Sequence, residues 1–373
     1  MTDLRTVGRR TAYALAAPVL ALLLSVLVTS VIVALIGASP VDFWDVMLQW
    51  PSDRSIVNIL NQTSMIFVAA VAAAIGFRMN LFNIGVDGQY RIASYVAAAF
   101  AGQAFFDGAL NIIFSILLAM LAGALWAAIP ALLRVSRGVS EVISTIMLNA
   151  TATFLVGYML NTHGERAGDG RRTTPIAEDS TLGGFQLFSA RDGEVWGLTL
   201  VAVVVGIGYW IVVNRTRFGF ELRATGMSES AAIASGVSHK KMVVLAMMLS
   251  GAVAALIWLP ALFAGSSSGN YFSGSVFQGG LGFTGIAVAL LGRNRSVGMA
   301  FGALLFAFLA AQATALEFSG VDVSKSIVVV TQGVIVLAVV ISYEVVGRIR
   351  AAADQRAVTA ALTAPTTKQE VAA

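Results

Sequence analysis

Ten runs of apolar residues, most of them near twenty long, dominate the chain and leave few folds open to it. They cover residues 11–37, 59–77, 90–106, 109–133, 142–160, 196–213, 242–263, 281–291, 297–316 and 326–346. A helix needs ~20 apolar residues to cross the ~30 Å hydrocarbon core of a bilayer. Ordinary soluble domains hold ~45–50% apolar and ~25% charged residues. Here 57% of 373 residues are hydrophobic and 12% charged, with a mean hydropathy of +0.82. These figures exclude a soluble enzyme and predict an all-α, polytopic membrane protein of about ten transmembrane helices. The 281–291 run is too short to cross alone and follows Gly279 and Gly280. It reads as a broken or re-entrant helix sheltered by protein.

Charge supports the same class and orients it. The formal charge is +4 with a pI near 9.6. Its basic residues are scattered singly between apolar runs, which argues against a nucleic-acid partner. Lys and Arg concentrate on the cytoplasmic side of membrane proteins. With ten crossings and an inside N-terminus, eighteen of the 24 fall inside, Arg91 among them, and six outside. Both termini are then cytoplasmic. The run from Thr11 to Gly37 is longer than the ~7–15 residues of a signal-peptide core, so it reads as a retained first span. The expected organisation is a cytoplasmic N-terminus at 1–10, one transmembrane domain at 11–350 and a fraying cytoplasmic tail at 351–373. The outside stretch from Asn161 to Glu194 reads as an irregular cap. The inside stretch 214–241, with Gly226 and Gly236, reads as two short surface helices.

Several chemistries drop out. Without cysteine there are no disulfides, thiolate metal sites or cysteine nucleophiles. None of the four lysines follows a glycine, so the chain carries no G-x-x-x-x-G-K-[ST] phosphate loop. His163 and His239 lie on opposite sides of the expected topology, which leaves no shared metal site.

Three polar elements interrupt the apolar pattern. The first, residues 77–91, carries Asn80, Asn83, Asp87 and Gln89 with Gly85 and Gly88. Polar groups in lipid cost several kcal/mol unless paired. The segment is either a capped helix connection or a broken helix whose amides line a path, as in transporters. The second, residues 138–150, offers Ser140 as a cap and Glu141 in a first turn. Glu141, Thr145, Leu148 and Asn149 share one helical face, available to a pore or to interhelical hydrogen bonds. The third, residues 280–294, packs small residues where backbones can approach closely, and Gly298 and Gly302 add a G-x-x-x-G spacing.

The strings FNIGVDGQ (82–89), GVSEVISTIMLN (138–149), GFELRATGMSESAAIASGVS (219–238) and GLGFTGIAVALLGRN (280–294) together resemble the permease subunits of bacterial ABC importers. The nearest branch handles nucleosides and simple sugars, within the superfamily of branched-chain amino acid and ribose-type permeases. The first string departs from the Gly-Gly-Ile-Asp-Leu-Ser pattern of ribose permeases, which favours a nucleoside over a free pentose. The resemblance implies a fold like the type II importers typified by the vitamin B12 system. It also implies a separate cytoplasmic ATPase that uses ATP and magnesium, so no cofactor belongs to this chain. A second, shorter permease and an extracytoplasmic binding lipoprotein complete the implied partners.

On that reading Asn80, Asn83, Asp87, Gln89, Glu141, Thr145 and Asn149 are the substrate-pathway candidates. Residues 214–241 form the ATPase-coupling loop: Glu221 and Arg223 are exposed ion-pair candidates, Gly226 ends a first helix, Ser228 caps a second, Glu229 stands in its first turn and Gly236 at its left-handed end. The chain performs no covalent chemistry. Alternatives are a permease for a simple sugar or other small polar solute, and an ion-coupled secondary transporter, which calls for ionisable residues deep in the spans.

Overall fold

In the computed structural model, residues 4–168, 170–264, 270–321 and 323–363 are described. The chain order is α1 (Leu4–Leu35), α2 (Pro40–Met47), α3 (Asp53–Phe77), α4 (Val86–Ala101), α5 (Gly108–Arg137), α6 (Glu141–His163), a hairpin of β1 (Glu165–Ala167) and β2 (Gly170–Arg172), α7 (Leu200–Arg215), α8 (Arg217–Met227), α9 (Glu229–Ala234), α10 (His239–Ala254), α11 (Leu259–Leu262), α12 (Leu281–Leu291), α13 (Ser296–Phe318) and α14 (Ser326–Thr363). Two compact units result. One joins Met1–Asp45 to Gly320–Ala373 and packs α1 along α14; the other, Val46–Ser319, holds the remaining bundle.

All ten apolar runs form helices, and among the described residues eight helices are long and apolar enough to cross a membrane. The two exceptions carry the architecture. The expected span at 90–106 is a sixteen-residue helix, α4, that starts earlier, at Val86; at 1.5 Å per residue it is about 24 Å long. Helix α12 has eleven residues, about 16 Å, and begins after Gly280, whose φ of 87° is left-handed. Both are shorter than the bilayer core. The tail expected to fray after Arg350 instead continues α14 to Thr363; residues 364–373 of the expected tail lie outside the described residues.

Within the large unit α3 is the axis, because its Ser64–Gly76 stretch is almost wholly apolar, rich in alanine over 69–74, and buried throughout. Helices α7, α10, α12 and α13 pack around it. Close approach relies on glycine. A Cβ on Gly285 of α12 would stand 2.5 Å from the Ala69 carbonyl carbon of α3. The G-x-x-x-G residues of α13 face α12, Gly298 against Gly292 and Gly302 against Val288 and Leu291. The outward faces of α5, α6 and α7 expose Leu117, Leu121, Phe154, Val204 and Ile207, as lipid-facing helices do.

The polar 161–199 segment is more ordered than expected. It contains the hairpin and three short 3-10 turns, and it is sewn to Phe263, Asn270 and Phe272 by Thr173 N–H donating to Phe272 O (2.9 Å), Ile176 N–H to Asn270 O (2.8 Å) and Leu182 N–H to Phe263 O (2.9 Å).

The tightest helix crossing joins α5 to α10, where a Cβ on Gly123 would lie 2.4 Å from the Gly251 carbonyl oxygen. Overpacking a close-packed contact costs about 1–3 kcal/mol. Gly123→Leu is therefore expected to lower the melting temperature of the purified protein in detergent, whereas Gly208→Leu, whose Cβ meets open space, leaves it near the wild-type value.

Candidate functional site

Helix α3 ends at Phe77, and α4 begins only at Val86, after turns and a non-helical stretch. In hydrocarbon every backbone N–H and C=O freed by such a break needs a partner. The first two turns of α6 supply several. Phe82 N–H donates to the Glu141 carboxylate (3.4 Å), Gly88 N–H to Asn149 Oδ1 (2.8 Å), and Asn149 Nδ2 donates to Ile84 O (2.9 Å). Glu141 is also ion-paired with Arg134 of α5. Thr145 is buried against Gly85, where a Cβ would come within 3.0 Å of the threonine Cβ; at Gly88 it would meet Asn149 Oδ1 at 2.9 Å. The polar face of α6 thus grips the break, and glycine at 85 and 88 makes room for it.

The break also braces itself. Asn83 Oδ1 accepts from Gly85 N–H (3.1 Å) and Gln89 Nε2 (2.9 Å), and Asn83 Nδ2 donates to Gln89 Oε1 (3.0 Å) and Ser250 Oγ (2.8 Å); Ser250 in turn donates to Ala72 O (2.6 Å). Asn83, Gln89 and Ser250 are fully buried. This network ties α3, the break, α4 and α10 together.

Asn149 sits two turns into α6, so Gly88 lies about 12 Å beyond the level of Glu141. The start of α4 is therefore deep in the bilayer, and there it meets the start of α12. The Asp87 carboxylate accepts the Gly280 N–H (3.0 and 3.1 Å), and Gly282 packs on the Asp87 backbone, where a Cβ would stand 2.7 Å from its nitrogen. Tyr90 Oη donates to Gln278 O (2.7 Å), and the Gln278 side chain exchanges amide hydrogen bonds with Gln62 of α3 (3.0 and 3.3 Å). One turn beyond Asp87, the Arg91 guanidinium stands 4.4 Å over the Phe277 ring. Gln62, Asp87, Arg91, Gln278 and Thr284 are all partly exposed. They form a polar, charge-bearing surface at mid-depth where two half-helices begin.

This geometry redistributes the residues singled out by sequence. Asp87 is on the open polar surface. Asn83, Gln89, Glu141, Thr145 and Asn149 are turned into the protein and hold the break in shape. Asn80, with a left-handed φ of 54°, is exposed beyond the break and donates to Gly226 O (2.7 Å). Ser140 occupies the N-cap position of α6, but among the described residues its side chain finds no backbone N–H to cap. Sequence reasoning set Arg91 in a cytoplasmic connection; it lies in α4 instead, about 15 Å from that helix's far end at Ala101. Asp87, in the first turn of the same helix, is likewise inside the bundle rather than in a connection. Gln62, Tyr90, Ser250 and Gln278 were missed, although the i, i+4 spacing of Asp87 and Arg91 was a visible signal that both share a face.

Residues 214–241 form α8 and α9 as expected. Ser228 caps α9 by accepting from Ala231 N–H (3.3 Å), Glu229 opens its first turn and Gly236 adopts a φ of 83°. The expected exposed pair is otherwise engaged: Glu221 binds Arg217 (2.7 Å), and the half-buried Arg223 donates to Val213 O. These helices expose three large apolar side chains, Phe220, Met227 and Ile233, beside the charged Arg217 and Glu229. Their inner side reaches the break. Leu222 packs in one cluster with Met79 and Leu81, and a Cβ on Gly226 would collide with Arg78 O at 2.2 Å. Arg78 extends to Tyr209 Oη (3.1 Å) and Asn294 O (2.5 Å), joining the end of α12 to the same anchor.

Two cavities lie off this surface. An apolar groove of about 760 Å³ is lined by α3, α7 and α13, and a recess of about 360 Å³ lies among Arg134, Ser140, Glu229, His239 and Lys240. Among the described residues no cluster of three or more His, Asp or Glu stands ready for a metal ion.

Removing one partner of a buried hydrogen bond costs about 1–3 kcal/mol. Asn149→Leu is expected to lower the melting temperature and speed hydrogen exchange at Gly88. Thr153→Val, which loses only a bond to the Asn149 carbonyl on the exposed face, leaves both near wild type.

The comparisons with known proteins agree with this architecture. A family model described as the permease component of branched-chain amino acid transport systems matches residues 55–343. The guanosine ABC transporter permease protein NupP of Bacillus subtilis (strain 168) is 33% identical, over 77% of this chain and 81% of its own length. The nucleoside ABC transporter permease protein NupB of Lactococcus lactis subsp. cremoris (strain MG1363) is 28% identical over 85% and 88%. The glucose ABC transporter permease protein TsgB13 of Haloferax volcanii is 30% identical over 91% and 90%. With its multi-pass helical fold and a match across most of its length, the chain belongs to the branched-chain amino acid transport permease family.

Proposed function

We propose that this chain is the transmembrane permease subunit of an ATP-driven importer that carries a nucleoside across the cytoplasmic membrane. The observation that carries the reading is the partly exposed polar surface at mid-depth, where α4 and α12 begin. Transporters bind and pass solutes near the bilayer midplane on discontinuous helices, and relatives named as guanosine and nucleoside permeases support a nucleoside as the cargo. Gln62, Asp87, Gln278 and Thr284 offer donors and acceptors suited to ribose hydroxyls and base edges. Asn80, Asn83, Gln89, Glu141, Thr145 and Asn149 serve the pathway by shaping it.

A partner ATPase, binding ATP and magnesium, supplies energy, since this chain has no phosphate loop. It docks on the exposed apolar residues of α8 and α9, and Asn80, Leu222 and Gly226 carry its motion to the break. Packed interfaces transmit such motion because they switch between discrete arrangements. The face bearing α8 and α9 is cytoplasmic, as the positive-inside rule favours for Arg215, Arg217, Lys240, Lys241, Arg293 and Arg295, and both termini share that side. An open polar surface at mid-depth calls for a second permease subunit to enclose it, and an extracytoplasmic binding lipoprotein delivers the solute to the 161–199 cap. A simple sugar is the second reading, supported by the glucose permease among the relatives.

The test is uptake by liposomes holding the permease with its ATPase and companion permease. Labelled guanosine or another nucleoside is expected to accumulate only with ATP inside the catalytic compartment, with excess unlabelled nucleoside, but not glucose, blocking it. Gln278→Ala is expected to reduce uptake several-fold without loss of assembly. Accumulation driven by an ion gradient without ATP overturns the reading, and competition by glucose alone replaces the nucleoside with the sugar.

A further inference from the structure

A solute path through an energy-storing membrane must refuse protons and metal cations, and the mid-depth surface carries the means to do so. Asp87 and Arg91 are the two charged side chains that α4 brings to that level. The neighbouring helices bear none between Arg54 and Arg78, between Glu141 and His163, or between Lys241 and Arg293. The Asp87 carboxylate is occupied by the Gly280 N–H. The starts of α4 and α12 each add roughly half a positive charge, so with Arg91 the local balance is positive. Arg91 is also fixed in place. Its guanidinium lies 4.4 Å over Phe277, itself buried and packed by Tyr90 (5.1 Å) and Trp258 (5.4 Å). That platform keeps the charge at depth, where a free arginine would snorkel towards the headgroups.

We propose that Arg91, held on Phe277 beside the converging N-termini of α4 and α12, is a charge filter that excludes protons and metal cations from the path while neutral solute passes. An arginine or the positive ends of half-helices can bar cations from a pore; here the two devices coincide. The inference rests on the pathway reading above but not on the identity of the cargo.

The test uses the assembled transporter in liposomes without ATP, recording proton influx at an imposed potential and chloride flux in parallel. Wild type and Arg91→Lys are expected to stay tight. Arg91→Met, which keeps the length and loses the charge, is expected to leak protons about tenfold faster or more, the scale of one unit charge acting over several ångströms near a protein surface, with chloride flux unchanged. Tight Arg91→Met vesicles, equal leakage of protons and chloride, or leakage by Arg91→Lys each overturn the filter. Phe277→Leu provides a second variant that keeps the charge but frees it; it is expected to leak several-fold, and tightness there also counts against the proposal. If wild-type vesicles take up no nucleoside with ATP while the proton pattern holds, the cargo reading falls and the filter stands.

Discussion

Everything distinctive in this chain follows from one constraint: a backbone amide in hydrocarbon must find a partner. Between Phe77 and Val86 the polypeptide leaves the helix while deep in the bundle, and the freed groups are met by side chains rather than water. Glu141 and Asn149 reach across from α6, while Asn83 and Gln89 close a ring from within. The clamp allows α4 to start at mid-depth. There Asp87 meets the first amide of α12, and two half-helices present a polar surface that two full spans would have buried or left to lipid.

The break is also the place where the two ends of the proposed mechanism touch. Asn80 and Met79 lie at its lower edge, bonded to Gly226 and packed with Leu222 of α8. Asp87 lies at its upper edge against α12. A displacement of α8 reaches the start of α4 through a handful of contacts, with Arg78 drawing the far end of α12 into the same anchor. On the proposed reading, coupling and translocation are joined by a short stiff segment and need no long relay.

Much of this was legible in the sequence, and the failures have physical causes. The ten apolar runs fixed the class, and Gly279–Gly280 ahead of a short run correctly marked α12 as a half-helix. Ser228 and Gly236 announced α9 because capping chemistry is local. The eightfold spacing of Glu141 and Asn149 identified the right helical face, but spacing alone does not say whether that face meets a pore or another backbone. Arg91 was misread because apolar runs set span boundaries by composition, and α4 begins before its run does. Gln62 and Gln278 lie 216 residues apart, and no local pattern pairs them. Arg223 looked free because the Val213 carbonyl becomes its neighbour only once α7 and α8 fold against each other, whereas Arg217 stands one turn before Glu221 in α8 and their i, i+4 pairing was visible.

The central claim is that solute passes the polar meeting point of α4 and α12, and water accessibility tests it most directly. The chain is naturally free of cysteine, so single cysteines report one position at a time. In membranes holding the whole transporter, Thr284→Cys should react with a membrane-impermeant thiol reagent and be protected by transported solute, while Leu117→Cys on the lipid-facing side of α5 stays inert. A cysteine at 284 that never reacts in any nucleotide state, with labelling at 117 instead, would contradict the account.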